Sequence, residues 1–159
     1  MSATPELPNI SVSVKAAVVH DGEILLLSYD DTRIGGSFHY NLPGGKAREG
    51  ESLRDAVVRK VLEETGLTVR TVRHMFVWEY VPGQYGKNMG KVHKTQHNFL
   101  AEITDSNTTP RKSDPEDPYQ VGFEWVPLSE LTGKYLLPNV ARNILDALAD
   151  PRDALVDRW

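Results

Sequence analysis

A helical repeat of apolar residues marks the segment from residue 52 to residue 67. Ser52, followed three residues later by Asp55, predicts an N-cap with a capping box, and Gly66 predicts a left-handed residue at the C-terminus. At about 100° per residue, one sector of this helix is apolar and predicted to be buried. Its members are Leu53, Val57, Val58, Val61 and Leu62. The opposite sector, with Glu64 at its border, consists of Ser52, Ala56, Arg59 and Glu63.

Alternating or continuous apolar segments elsewhere predict β-strands. The predicted strands cover residues 11–19, 23–27, 68–81, 92–103 and 123–126. The third and fourth form a long hairpin whose tip is the turn-rich loop 82–91. Pro138 and Asn139 open an amphipathic helix through Leu148. We expect one domain over residues 1–159, with an N-terminal arm at 1–9 and a C-terminal tail at 152–159.

Composition narrows the class of protein. The chain has 159 residues, of which 40% are hydrophobic and 25% charged, as in an ordinary globular domain that buries roughly 70% of its unfolded surface. A net charge of −4 argues against binding duplex nucleic acid. Without cysteine there is neither a disulfide nor a thiolate metal site. No apolar run approaches the roughly 18 residues of a membrane span. We expect a soluble cytoplasmic protein and leave a homodimer open.

Candidate chemistry lies at the end of the first predicted helix. Glu63 and Glu64 are adjacent carboxylates, and a glycine pair, Gly44 and Gly45, precedes the helix. Glycine allows a backbone carbonyl to come close to a bound ion. Because a hard divalent cation prefers oxygen ligands, this combination predicts a site for such a cation. No Gly-x-Ser-x-Gly motif is present, so a covalent serine mechanism has no support.

The segment 45–67 resembles the Nudix box, Gx5Ex7REUxEExGU with U aliphatic, and the run Leu42-Pro43-Gly44-Gly45 resembles its lead-in. The resemblance implies an α+β fold, an α/β/α sandwich whose mixed, curved β-sheet is flanked by helices. It also implies a pyrophosphohydrolase that acts on phosphorus-containing acid anhydrides. Nucleoside 5′-di- or triphosphates are the favoured small-molecule substrates. ADP-ribose, weakly indicated by Pro82, or nucleotide sugars remain alternatives.

The resemblance further implies the roles of individual residues. Mg²⁺, or alternatively Mn²⁺, would be held by the Gly45 carbonyl and by carboxylates, and would orient a water for in-line attack at phosphorus. The carboxylates are Glu63, Glu64 and, from the acidic loop 105–120, Glu116, with Asp117 and Glu124 as alternatives. Arg59 is expected to act with Glu51, orienting the catalytic carboxylates by a salt bridge.

One position departs from the box: Lys60 replaces the Glu that directly follows the Arg. On a helix, Lys60 lies one turn before Glu63 and Glu64, inside the arc between them. The charge of this three-residue set changes from −3 to −1, which should weaken the affinity for a divalent ion. Lys60 could instead contact a substrate phosphate or pair with Glu64. The departure also motivates a different class of function, a nucleotide-binding or regulatory module that has lost catalysis.

Basic and aromatic residues supply candidate substrate contacts. The candidates for the phosphates are Arg33, Lys46, Lys60, Lys87 and Lys91, and those for stacking on a base are Tyr40, Trp78, Tyr80 and Tyr85. The loop with Lys87 could equally be a solvated hairpin tip. His39 lies near the glycines and could contact substrate. His93 and His97 share one face of a strand but have no third ligand nearby, so we do not expect a zinc site.

Overall fold

Strands dominate the fold. The computed structural model describes residues 9–84, 90–112 and 117–158. Within these residues lie seven β-strands and two α-helices. The strands are β1 (Ser11–His20), β2 (Glu23–Asp30), β3 (Phe38–Asn41), β4 (Gly44–Lys46), β5 (Val69–Tyr80), β6 (Lys94–Ile103) and β7 (Gln120–Pro127). The helices are α1 (Leu53–Thr65) and α2 (Ala141–Leu148).

The strands form one mixed sheet with two halves. In the first half, β1 pairs in parallel with β6 and antiparallel with β4, and β5 continues the sheet beyond β6 as the predicted hairpin partner. In the second half, β2 pairs antiparallel with β3 and β7. The halves join where Val19 of β1 pairs with Ile24 of β2. Since β4 flanks the start of β1, the glycine pair lies at the fork between the halves.

Two apolar clusters cover the two faces of the sheet. One contains Val14, Leu25 and Phe99 from the strands together with Val57 and Val61 from α1. The other contains strand residues together with Ala141 and Ile144 from α2 and Leu131 from a short 3₁₀ turn (Leu128–Gly133). Burial of these side chains is the main favourable contribution to folding. The predicted α/β/α sandwich is therefore confirmed.

Helix α1 begins and ends where its sequence predicts. The Ser52 hydroxyl accepts a hydrogen bond from the Asp55 amide at 3.0 Å, and Gly66 closes the helix with a φ of 71°. The predicted buried sector was wrong at two positions, because Ala56 is fully buried whereas Leu62 is 51% exposed. Compared with the prediction, the buried face of α1 is rotated toward the side that carries Lys60 and Glu64, because these two side chains meet β4. Ala56 consequently faces the core and Leu62 faces solvent.

The segment predicted as a tail contacts the sheet and α1 through residues 153–157. The Arg54 guanidinium pairs with Asp153 at 2.9 Å and with Asp157 at 2.8 Å, and the Ala154 amide donates to the carbonyl of His74. The sequence did not predict these contacts. Among the described residues, neither helix has the length and apolar character needed to cross a bilayer.

Candidate functional site

The glycine strand β4 is held against both β1 and the last turn of α1. Gly44 pairs with Lys15 of β1, and its amide donates to the Glu64 carboxylate at 3.3 Å. A Cβ on Gly44 would lie 2.1 Å from the carbonyl oxygen of Val14, so the strands can approach only because residue 44 is glycine. This approach fixes the position of Glu64.

Glu51 and Arg59 form a two-pronged ion pair beside this strand. The Arg59 Nε and Nη2 atoms donate to the two oxygens of Glu51 at 2.7 and 2.9 Å. Nη2 also donates to the Lys46 carbonyl at 3.0 Å, and Nη1 donates to Glu63 at 3.2 Å. The hydrogen bonds from Arg59 lower the pKa of Glu51 to about 2. Arg59 thus connects Glu51, the glycine strand and Glu63 through hydrogen bonds.

Lys60 lies between the two predicted metal-binding carboxylates. Its ammonium is 3.2 Å from Oε2 of Glu63 and 3.5 Å from Oε1 of Glu64. Its stem passes over Gly45, since a Cβ at that residue would lie 2.4 Å from Lys60 Cε. The side chain is only 20% exposed. Lys60 therefore holds a positive charge where the sequence predicted a divalent ion.

The two carboxylates differ in how their surroundings affect ionisation. Although burial acts to raise it, the pKa of Glu63 lies below its usual value because Arg59 and Lys60 hydrogen-bond to its charged form. Burial raises the pKa of Glu64, and the nearby charges of Lys15 and Lys60 offset only part of this effect. Glu64 is the more buried of the two, with 23% of its side chain exposed against 43% for Glu63.

Lys15 is a site residue that the sequence analysis missed. It lies on β1, donates to the Leu42 carbonyl at 3.2 Å, and contributes positive charge next to Glu64. Burial lowers its pKa, and the charge of Glu64 acts in the opposite direction. A signal was available, because Lys15 interrupts an apolar strand between Val14 and Ala16. A charge in such a position usually has a buried partner.

The donors at this corner suit a divalent ion only if Lys60 withdraws. Carboxylates and a backbone carbonyl are oxygen ligands of the right kind. However, the described part of the chain has no group of three or more His, Cys, Asp or Glu side chains able to hold a metal. This corner contains three carboxylates and four basic groups, which in their usual ionised forms give it a net charge of +1. They are Glu51, Glu63, Glu64, Lys15, Arg48, Arg59 and Lys60.

Tyr40 belongs to a second polar group, on the face of the sheet that α2 covers. The Lys134 ammonium lies 5.4 Å from the centroid of the Tyr40 ring and 2.8 Å from the Glu124 carboxylate. Burial raises the pKa of the Tyr40 hydroxyl, and the nearby Glu124 carboxylate acts in the same direction. Hydrogen bonding to Lys134 lowers the pKa of Glu124. Glu124, an alternative metal ligand in the sequence analysis, is thus paired with a lysine.

The remaining candidates lie in varied surroundings. Arg33 is exposed in a 3₁₀ turn (Thr32–Ile34), and the Lys46 side chain is also exposed. His39 is buried and stacks on Tyr29 with ring centroids 5.5 Å apart. Asp117 accepts a hydrogen bond from the amide of Tyr119. Three predicted residues lie outside the described part of the chain, namely Tyr85, Lys87 and Glu116.

The histidines and aromatic residues of the β5–β6 hairpin contact one another and their neighbours. His97 Nδ1 lies 3.0 Å from Nε2 of His74, and His93 pairs with Glu79 at 3.1 Å. Trp78 and Tyr80 stack with ring centroids 5.9 Å apart, and the Tyr80 hydroxyl donates to the Gly90 carbonyl. The structure thus assigns these side chains contacts within the hairpin itself.

Comparisons with known proteins identify the family. A model of the NUDIX domain matches residues 10–148. The chain is 27% identical to the NAD-capped RNA hydrolase NudC of Vibrio parahaemolyticus over 147 residues, which cover 92% of this chain and 52% of that protein. It is 28% identical over 124 residues to a Bacillus subtilis protein provisionally named an 8-oxo-dGTP diphosphatase, covering 78% and 70% of the two chains. The chain thus spans about half the length of the first relative.

Solved structures agree on the fold. A NUDIX hydrolase from Nitrosomonas europaea superposes with a TM-score of 0.71 at 22% identity, and the match covers 95% of this chain and 98% of that one. The family model covers most of the chain and includes the whole corner formed by β4 and α1. On these grounds, the chain belongs to the NUDIX domain family.

Proposed function

We propose that this chain hydrolyses the pyrophosphate linkage of nucleoside 5′-di- or triphosphates with the help of Mg²⁺, for which Mn²⁺ could substitute. The observation that carries the proposal is the pair Glu63 and Glu64 beside the glycine strand, inside the segment that the NUDIX model matches. The names of the two relatives, an NAD-capped RNA hydrolase and a provisionally named 8-oxo-dGTP diphosphatase, both describe enzymes that act on nucleotide-containing substrates.

The residues of the corner have distinct tasks under this proposal. Glu63 and Glu64 would hold the divalent ion once Lys60 has moved aside, and Glu116 is proposed as a further ligand. The bound ion supplies positive charge that offsets the charge of the phosphate oxygens. Arg59 is a positioning residue, because its guanidinium holds Glu63 while Glu51 and the Lys46 carbonyl hold the guanidinium. The Gly44 amide orients Glu64.

Substrate recognition is assigned to residues of this corner and to residues outside it. Arg33, Lys46 and Lys60 are proposed to contact the phosphates, together with Lys87 from the hairpin loop. Tyr40 and Tyr85 are proposed to stack on the base. For Tyr40 the support is its ring, which lies beside the charged pair of Lys134 and Glu124, where a base could meet both an aromatic face and polar groups. A homodimer and a cytoplasmic location stay predictions from the sequence.

A nucleotide panel tests the proposal. Purified protein is incubated with Mg²⁺ and nucleoside triphosphates, nucleoside diphosphates, ADP-ribose or nucleotide sugars, and the products are separated by anion-exchange chromatography. We expect the triphosphates or diphosphates to be cleaved fastest. The double variant Glu63→Gln/Glu64→Gln should lose at least about 10³-fold in kcat/KM.

The matched control for this experiment is Glu102→Gln. This residue is also an exposed glutamate paired with an arginine, but its partner is Arg70 on the β5–β6 hairpin. Its kcat/KM should equal that of the wild type. A double variant as active as the control would refute the assignment of the carboxylate pair.

A second candidate, a nucleotide-binding module without turnover, is favoured by one observation. The Lys60 ammonium already lies against both carboxylates, and the surrounding groups sum to a net positive charge. With Glu51, Lys15, Arg48 and Arg59 included, this corner carries a net charge of +1 and suits an anionic phosphate chain more than a cation. Micromolar nucleotide binding by calorimetry, with no cleavage of any panel member, would establish this function in place of hydrolysis.

A further inference from the structure

The Lys60 side chain contacts Gly45 and both candidate metal ligands. Its stem passes over Gly45 where any larger residue would collide with it, and its ammonium reaches Glu63 and Glu64 together. Four-fifths of the side chain is removed from solvent. These contacts distinguish Lys60 from an ordinary surface lysine, which would extend into water and pair weakly.

The position of Lys60 is incompatible with a divalent ion bound by the same oxygens. A cation that both carboxylates hold would lie within a few ångströms of the ammonium, and two positive centres at that distance repel each other strongly. Lysine can leave at little cost, since its charge is carried on a flexible four-carbon stem with rotatable donors. Once it leaves the carboxylates, the ammonium is free to pair with another anion.

We propose that Lys60 is a built-in competitor for the divalent ion, and that the phosphate chain of the nucleotide relieves this competition. In the free protein the ammonium stays on Glu63 and Glu64 and keeps the ion's affinity low. When a nucleotide binds, its phosphates take over the ammonium and leave both carboxylates to the ion. Binding of the ion and of the nucleotide is therefore positively coupled, and the coupling is reciprocal. The inference rests on the proposed function, because it takes a nucleotide as the ligand.

The first test measures Mn²⁺ alone. Electron paramagnetic resonance counts free Mn²⁺ during titration of the wild type and of Lys60→Met, which keeps the length of the stem without its charge. We expect Lys60→Met to bind Mn²⁺ about tenfold more tightly. Lys60→Arg keeps the charge and should bind as weakly as the wild type. Arg70→Gln, which removes a positive charge paired with Glu102 on the β5–β6 hairpin, serves as the control and should leave the affinity unchanged.

The second test adds α,β-methylene-ADP, whose phosphate bridge cannot be hydrolysed at the methylene link. Saturation with this nucleotide should tighten Mn²⁺ binding to the wild type by about tenfold more than it tightens binding to Lys60→Met. Equal Mn²⁺ affinities of the wild type and Lys60→Met without nucleotide would overturn the competition. Equal effects of the nucleotide on both proteins would overturn the coupling.

Neither test depends on turnover, so the two proposals can fail separately. If the panel shows no hydrolysis but Lys60→Met binds Mn²⁺ more tightly, the competition stands and the hydrolase proposal fails. If nucleotides are cleaved but Lys60→Met and the wild type bind Mn²⁺ equally, the hydrolase proposal stands and Lys60 is not a competitor.

Discussion

Two glutamates at opposite ends of the same segment illustrate two uses of an ion pair. Glu51, before the start of α1, receives two hydrogen bonds from the Arg59 fork and has its pKa lowered to about 2. Glu64, in the last turn of α1, faces the Lys60 ammonium at 3.5 Å and has its pKa raised by burial. The charged form of Glu51 is stabilised by Arg59, whereas the charged form of Glu64 is disfavoured by burial despite the nearby Lys60.

The difference follows from the chemistry of the two cations. The planar guanidinium of Arg59 matches a carboxylate with two parallel donors, and it also reaches the backbone of β4. The Lys60 ammonium is a point charge on a flexible stem, shared between Glu63 and Glu64. The Glu51–Arg59 pair is therefore suited to hold side chains in a fixed arrangement. Lys60 is suited to exchange its carboxylate partners for another anion. Substitutions can break this contrast at either end.

The largest expected effect comes from the strand that supports Glu64. Gly44→Ala would place a Cβ 2.1 Å from the Val14 carbonyl oxygen, and because this atom belongs to the backbone the clash forces β4 away from β1. We expect a loss of about 3 kcal/mol in the free energy of unfolding. Gly45→Ala instead meets the flexible end of Lys60 and should cost less than about 1 kcal/mol. Urea denaturation measures both variants, and equal losses would contradict the contrast.

Loss of the Arg59 fork should lower activity by about 10- to 100-fold, the usual range for residues that orient metal-binding groups. Arg59→Met removes the hydrogen bonds to Glu51, Glu63 and the Lys46 carbonyl while keeping an apolar stem. Arg59→Lys restores the charge but not the fork, so it should recover only part of kcat/KM. Initial rates on the best substrate of the panel give the values. Full recovery with lysine would show that charge alone is required.

Charge removal at the two glutamates should change thermal stability in opposite directions. At pH 7 in EDTA, Glu51→Gln should lower Tm, because it removes an anion that the folded state stabilises. Glu64→Gln should raise Tm, because the folded state disfavours the Glu64 anion. A group with a raised pKa contributes most below its unfolded pKa, and its contribution is lost as the pH rises through the folded pKa. Calorimetry measures both shifts, and a common sign would refute the contrast.

The smallest expected effect is the loss, at acid pH, of the contribution that Glu51 makes to the stability of the fold. The pKa of Glu51 is about 2 in the folded protein, below its value of about 4.3 in an unfolded chain. Between these values the unfolded state binds more protons, so the contribution of Glu51 is complete above about pH 4.3 and disappears as the pH approaches 2. The difference in Tm between the wild type and Glu51→Gln should accordingly narrow from pH 5 to pH 3. A constant difference would show that the ion pair does not stabilise the fold.

Local features were predictable from the sequence, while contacts between distant segments were not. The caps at Ser52 and Gly66 depend on neighbouring residues, and the structure confirms both. The burial of Ala56 and the exposure of Leu62 depend on which side of α1 meets β4, which periodicity alone could not determine. The contact between Lys15 and the Leu42 carbonyl joins residues 27 positions apart.

In the candidate site, too, contacts within one segment were predictable, whereas a contact between different elements was not. The resemblance to the Nudix box implied that Arg59 pairs with Glu51, and the structure contains this ion pair. Helical spacing alone placed Arg59, Glu63 and Glu64 close together on α1. The position of Lys60 between Glu63 and Glu64 was also predicted from helical geometry. What the sequence could not give was the packing of Lys60 over Gly45, since that contact joins different elements.

The attachment of residues 153–157 to Arg54 has a practical consequence. Arg54 lies in the first turn of α1, the helix that carries Arg59, Lys60 and both candidate metal ligands. Trimming the protein after Asp150, as one might do to improve crystals, would strip this guanidinium of both carboxylate partners. A shortened variant should therefore keep residues 153–157.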